Sequence, residues 1–225
     1  MNPLDYLHLQ LRLEGKEIIR NNLLRQVEVV PDEEVPLILI VQFEDQEIIA
    51  YYDETLQPKL HSELTEQIHN ISFPTIDRLL DFLKTHNISF EVGYYKTYIF
   101  APRFVDSFIT DVVCYSKHDP KIQEFGFDGF AEKIYAIEQA GKIVSACVST
   151  RENKFCGEAW VYTDPQFRNQ GLALKVVNAW SRNLITAGKI PFYSHKLENI
   201  ASTNLANRLG LQPVFEEIVI SYVNV

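Results

Sequence analysis

The segment KIYAIEQAGKIVSACVSTRENKFCGEAWVYT, residues 133–163, constrains the fold more than any other. It reads as three strands in succession, with turn signals at Ala140-Gly141 and Glu152-Asn153. The third strand runs directly into DPQFRNQG and then into a helical pattern, with Leu172, Ala173, Val176, Val177, Trp180 and Leu184 on one side. A strand, IPFYSH, follows, then a helix, ASTNLANRLG, whose Gly210 suits a C-terminal stop, and a last strand, QPVFEEIVISYV. Residues 107–115 read as a further strand and 119–126 as a short helix. Antiparallel strands followed by strand–helix–strand–helix–strand imply an α/β fold: a mixed, mostly antiparallel sheet flanked by helices. This second domain is placed at residues 106–225.

Residues 1–105 are expected to form a first α/β domain. Residues 4–28 read as one helix, with Leu4, Leu7, Leu11, Ile18, Ile19, Leu23 and Leu24 near helical spacing and Gly15 as an interruption. VPLILIVQFEDQEIIAYYD reads as two strands around a Glu-Asp-Gln turn, residues 56–69 and 74–86 as helices, and ISFEVGYYKTYIF as a strand. APRFVDSF is the junction. The strand–strand–helix–helix–strand order echoes the second half, which raises a degenerate copy of the same fold as an expectation.

The formal net charge of -9 excludes a basic nucleic-acid footprint. Hydrophobic residues make up 46% of the chain, enough for a sizeable core, yet no apolar run reaches membrane-spanning length. The start lacks a basic segment followed by an apolar block, and Cys114, Cys147 and Cys156 form no disulfide pattern. A cytoplasmic location is expected.

The chemistry concentrates at Arg168–Ala173. The first turn of a helix leaves backbone N–H groups unpaired, and its dipole favours an anion there. Glycine permits positive φ and close approach, and an adjacent arginine adds charge-assisted donors. The loop is therefore a candidate phosphate cradle without a Walker lysine, although arginine and glycine also occur in plain strand–helix turns.

VYTDPQFRNQGLALKVV resembles the acyl-CoA-binding motif of the GNAT N-acetyltransferase superfamily: a strand, P-x-(aromatic)-R-x-x-G-x-(G/A), then a helix. HKLENIASTNLANRLGLQPV resembles that superfamily's next block, in which an Asn after a strand opens a helix ending in Leu-Gly. The resemblance covers residues 107–225 and looks closest to a bacterial branch that includes antibiotic-resistance acetyltransferases. It implies acetyl-CoA as cosubstrate and an amine as acceptor. Val161, Tyr162 and Thr163 would pair with the pantetheine arm. The amides of Arg168, Asn169, Gln170, Gly171, Leu172 and Ala173 would take the pyrophosphate, with Ala173 where many relatives carry a second glycine. Asn199 and Ser202 match positions that contact pantetheine or phosphates; equally, they read as a helix cap and its box partner.

Acyl transfer to an alkyl amine of pKa ~10 requires proton removal near neutral pH. The resemblance offers Glu158 as the base, against a plain strand residue, and the Val161 N–H as oxyanion donor. One departure stands out. Many relatives place a thiolate-protonating tyrosine in the second helix, where this chain has Ala206. Either the thiolate leaves unassisted, or Tyr193 or His195 substitutes, or the protein is a catalytically silent acyl-CoA-binding or interaction module. His118 and Asp119 do not make a metal site, and no covalent-nucleophile pattern is present.

Overall fold

The computed structural model of the chain describes residues 1–31, 33–68, 71, 73–100, 111–127 and 129–223. It divides into two compact units. The first comprises Met1–Thr97, Lys196–Glu198 and Val214–Val225; the second comprises Tyr98–His195 and Asn199–Pro213. The expected boundary at 105/106, the APRFVDSF junction and the start of the strand expected at 107–115 lie outside the described residues.

In the first unit α1 (Pro3–Leu13) opens with a reciprocal cap: the Asn2 side chain accepts from the Asp5 N–H and the Asp5 carboxylate from the Asn2 N–H, at 2.8 and 2.9 Å. The single helix expected over 4–28 stops there. Gly15 sits at φ +70°, and a Cβ on it would come within 2.2 Å of the Glu28 carbonyl oxygen. The chain instead forms the antiparallel pair β1 (Lys16–Ile19) and β2 (Leu23–Gln26), turned by Asn21 and Asn22 at φ 61° and 58°. Ile18, Ile19, Leu23 and Leu24 are thus strand residues whose spacing mimics a helix. The expected Glu-Asp-Gln hairpin is present as β3 (Ile38–Phe43) and β4 (Ile48–Asp53). The helices follow as α2 (Pro58–Ile68) and α3 (Asp77–Thr85), and then β5 (Phe90–Ile99).

The strand order in this unit is β1-β2-β4-β3-β11-β5, where β11 (Gln212–Tyr222) is the last strand of the chain. β11 runs antiparallel to β3 from Phe215↔Phe43 to Ile220↔Ile38. The first unit therefore includes the C-terminal strand, and the division differs from the expected cut between residues 105 and 106. Its core joins Ile38, Ile40, Leu64, Leu79, Leu83, Ile218 and Ile220, all fully buried. β3 reads ILIV without alternation because both of its faces are covered.

The second unit holds β6 (Val113–Ser116), α4 (Pro120–Phe125), β7 (Lys133–Gln139), β8 (Lys142–Glu152), β9 (Cys156–Thr163), α5 (Leu172–Thr186), β10 (Ile190–Lys196) and α6 (Ile200–Leu209). Its strand order is β6-β7-β8-β9-β10, antiparallel up to β9 and parallel between β9 and β10. This is the mixed, mostly antiparallel α/β sheet read from the sequence. Helix α5 lies across one face, burying Val176, Val177, Trp180 and Leu184. Each such side chain contributes about 1.5–3 kcal/mol. Gly157 permits the close approach, since a Cβ there would stand 2.9 Å from Leu184 Cδ1. The Trp180 indole N–H donates to Ser149 Oγ at 2.9 Å, so the largest buried ring has its polar atom satisfied.

Candidate functional site

β9 and β10 pair over three residues only: Cys156↔Ile190, Gly157↔Pro191 and Glu158↔Phe192. Beyond Glu158 they separate, while β9 stays paired with β8 as far as Thr163↔Ser145. The separation coincides with a register shift in β8 between Ser149 and Arg151, opposite Ala159 and Glu158. A bulge adds twist and bends its strand, which turns the end of β9 away from its other neighbour.

The freed side of β9 exposes backbone. The Asp164 N–H donates to the Val144 carbonyl at 2.9 Å, so residue 164 points its peptide groups towards β8. Alternation then directs the N–H and C=O of Val161 and Thr163 the other way, into the gap. The Ser145 and Thr163 hydroxyls, 2.8 Å apart, form the close pair that this register requires. The Arg168 Nε donates to the Thr163 carbonyl at 3.1 Å, which agrees with that direction and leaves the ends of the guanidinium for a ligand.

The loop after β9 is made by its own sequence. The Asp164 side chain accepts from the Gln166 N–H at 2.9 Å, and Pro165–Phe167 makes one tight turn. Asn169 and Gly171 then adopt φ 63° and 77° on either side of Gln170. Gly171 is the N-cap of α5 and supplies no side-chain hydrogen bond, so the first-turn N–H groups of the longest helix have no side-chain cap. The second helix differs: Asn199 caps α6 by accepting from the Ser202 N–H at 3.1 Å.

These elements enclose a cleft of about 600 Å³. Val161, Tyr162, Thr163, Arg168, Asn169, Gly171, Leu172, Ala173, Tyr193, Asn199 and Ser202 line it, which brings most of the sequence-derived candidates to one place. Three candidates stand apart from its wall. Gln170, within the loop, is exposed and outside the cleft wall. Glu158 lies below the point where the strands separate, buried, with Oε2 held by Arg151 Nε at 3.1 Å and Nη2 at 2.5 Å. His195 is buried and stacked on Tyr98, ring centres 5.4 Å apart. Tyr193 is buried in the wall; burial pushes its phenol up to about 12, against a smaller opposing pull from the Ser202 hydroxyl.

The sequence reading missed Arg208. It lines the cleft from α6, and a Cβ on Gly171 would lie 3.7 Å from its Nη2. The signal was available: Ala201, Asn204, Leu205 and Arg208 fall at i, i+3, i+4 and i+7, and that stripe is the one α6 turns to the cleft. Arg168 and Arg208 are the charged side chains of the wall. Among the described residues no carboxylate forms an ion pair with either of them.

Among the described residues there is no group of three or more His, Cys, Asp or Glu placed to hold a metal ion, and no helix is long and apolar enough to cross a membrane. Cys114, Cys147 and Cys156 are free thiols.

The second unit is thus an α/β domain with a five-strand mixed sheet whose parallel pair opens around an uncapped, arginine-flanked helix start. Residues 124–219 match the family model of the GNAT acetyltransferases. Similar solved structures include a GNAT-family acetyltransferase from Novosphingobium aromaticivorans, 15% identical over 60% of this chain and 66% of that one, with a TM-score of 0.47. A GCN5-related N-acetyltransferase-like protein from Streptococcus suis is 13% identical over 87% of both chains, TM-score 0.49. A tandem GNAT protein from the clavulanic acid biosynthesis pathway is 9% identical over 100% of this chain and 98% of its own, TM-score 0.48. Likeness this distant says nothing of substrate. No curated protein matches the chain.

Proposed function

We propose that the protein transfers the acetyl group of acetyl-CoA to the amine of a small molecule by direct attack on the thioester. The observation that carries this is the charge of the cleft. In a chain of net charge -9, its wall holds two arginines and no carboxylate, beside an uncapped helix start. Guanidinium groups without a carboxylate partner are satisfied by a polyanion, and phosphate is the anion their fork geometry fits. Arg168, Arg208 and the first-turn N–H groups of α5 would hold the pyrophosphate, and the edge of β9 at Val161 and Thr163 the pantetheine amides.

Acetyl-CoA supplies the activated acyl group; the protein supplies position and polarity. The Val161 N–H meets the charge that builds on the thioester oxygen. The amine lone pair forms the C–N bond, the C–S bond breaks with its pair on sulfur, and the surplus nitrogen proton passes to solvent. Tyr193 donates a hydrogen bond towards the sulfur. Burial holds its phenol protonated, so it acts on the sulfur as a hydrogen-bond donor.

A second reading, an acyl-CoA-binding module without turnover, is favoured by one observation: Ala206, where relatives carry the tyrosine, is fully buried and presents no hydroxyl. Thiol release with a panel of amines separates the two. Binding is checked first by calorimetry with CoA. Arg208→Ala should weaken it about 10-fold, the value of one charge-assisted hydrogen bond, and flatten its salt dependence. Unchanged affinity sinks the assignment of Arg208, and absence of binding in the parent sinks both readings.

A further inference from the structure

The reactive carbonyl has two faces, and the structure covers one of them. A hydrogen bond from the Val161 N–H lies near the plane of the carbonyl it reaches. On the acetyl-transfer reading above, a pantetheine arm in the gap between β9 and β10 would lie in the sheet as well. The plane of the thioester therefore follows the plane of the sheet, and an amine attacks perpendicular to it. On one side stands α5, against which Ala159 and Val161 pack. The amine must come from the opposite face of β9, which alternation assigns to Glu158, Trp160 and Tyr162.

That face is aromatic and open. Trp160 and Tyr162 flank Val161 in sequence and are 39% and 40% exposed, high values for rings of this size. They are held in place from beneath. Trp160 lies 4.6 Å from Phe127 and 4.4 Å from Phe130, and Tyr162 lies 5.7 Å from Phe125. The patch is continuous with the cofactor cleft, because Tyr162 also lines the cleft and its ring centre is 6.0 Å from the Arg168 guanidinium.

Resting on the acetyl-transfer reading above, we propose that Trp160 and Tyr162 select the acceptor, and that the acceptor is an arylalkylamine: a flat aromatic body that lies on these two rings and carries its amine over the Val161 N–H. Rigid, pre-positioned rings stack on a flat partner at little entropic cost, and the net charge of -9 favours approach of an ammonium ion.

Phenethylamine and tryptamine are compared with n-butylamine and 1,4-diaminobutane by thiol release, and binding of phenethylamine, which does not emit in the indole band, is followed by tryptophan fluorescence in the presence of CoA. The chain has two tryptophans, and Trp180 is buried, so a change in emission on adding phenethylamine reports on Trp160. The expected result is a change in emission on adding phenethylamine that disappears in Trp160→Phe, and a kcat/KM for phenethylamine at least about 10-fold above that for n-butylamine. Trp160→Ala should lower that ratio about 10-fold by raising the phenethylamine KM, and Trp160→Phe should retain some of it. No change in emission, or a ratio near unity in the parent, overturns the proposal. So does a ratio unmoved by Trp160→Ala, including the case in which that variant instead breaks a dimer seen by sedimentation. A change in emission without thiol release from any amine upholds the aromatic site and overturns the transfer reading alone.

Discussion

Gly171 does two things at once. It holds φ +77°, which an L side chain adopts at a cost of roughly 1–2 kcal/mol, and it leaves the start of α5 without a side-chain cap. Space is not the constraint, because an added Cβ meets only Arg208 Nη2 at an ordinary 3.7 Å. Gly171→Asp is therefore expected to fold, with stability reduced by about 1–2 kcal/mol, while its carboxylate occupies the anion's place and abolishes CoA binding. Calorimetry on a variant of near-parent Tm checks this; retained affinity refutes the cradle. Glu158 presents the opposite case. Its placement outside the cleft wall and its hold on Arg151 support a clamp rather than a base. Glu158→Gln keeps an acceptor for the guanidinium but removes the charge, so we expect about 1–3 kcal/mol lower stability and less than a 10-fold fall in kcat. A loss of 10²–10⁴-fold with an altered pH–rate profile would instead make Glu158 the general base.

At the scale of elements the decisive feature is the separation of β9 from β10. A strand with neighbours on both sides spends every N–H on its ladders; β9 beyond Glu158 spends only alternate ones, on β8. This allows a selective test. Val161→Pro removes an N–H that no ladder uses, and the ring tolerates extended backbone at such an edge. The pairing with β8 should survive, and the fold with it. If Val161 is the oxyanion donor, kcat falls about 10²–10³-fold, the usual weight of one such donor. Steady-state kinetics beside a circular-dichroism melt gives the answer, and an unchanged kcat removes Val161 from the mechanism.

The whole molecule responds to pH through its buried phenols. Tyr193 in the second unit and Tyr51 in the first are each pushed up to about 12, in both cases chiefly by burial and for Tyr51 also by Glu47. In the unfolded chain both ionise near pH 10. The unfolded state thus loses its protons first. Stability is complete below about pH 10 and falls as pH rises towards 12, by about 1.4 kcal/mol per pH unit for each such tyrosine. Urea unfolding at pH 9 and pH 11 should show this drop, and Tyr193→Phe should remove about 1.4 kcal/mol of it. An equal drop in the variant would mean that Tyr193 ionises normally in the folded protein.

The amino-acid sequence by itself determined the local features. The turns at Ala140-Gly141 and Glu152-Asn153, the hairpin of β3 and β4, the helix after Gln170 and the stop at Gly210 depend on neighbours in the chain, and all are present as read. The conformation of the loop from Arg168 to Ala173 was legible for the same reason, since two positive-φ residues within it, Asn169 and Gly171, set its backbone. Other matters belonged to tertiary structure. The residues after Gly15 have helical spacing, yet they pair as strands because the close contact with Glu28 and the turn at Asn21-Asn22 redirect them. The last strand lies in the first unit because its alternating Ile218 and Ile220 complete a core built more than a hundred residues earlier. Arg208 enters the cleft only because α6 is rotated to face α5, and Glu158 is withdrawn from it only because β9 and β10 are still paired at that residue and diverge immediately after it. Periodicity tells which residues share a face of an element; packing alone settles what that face meets.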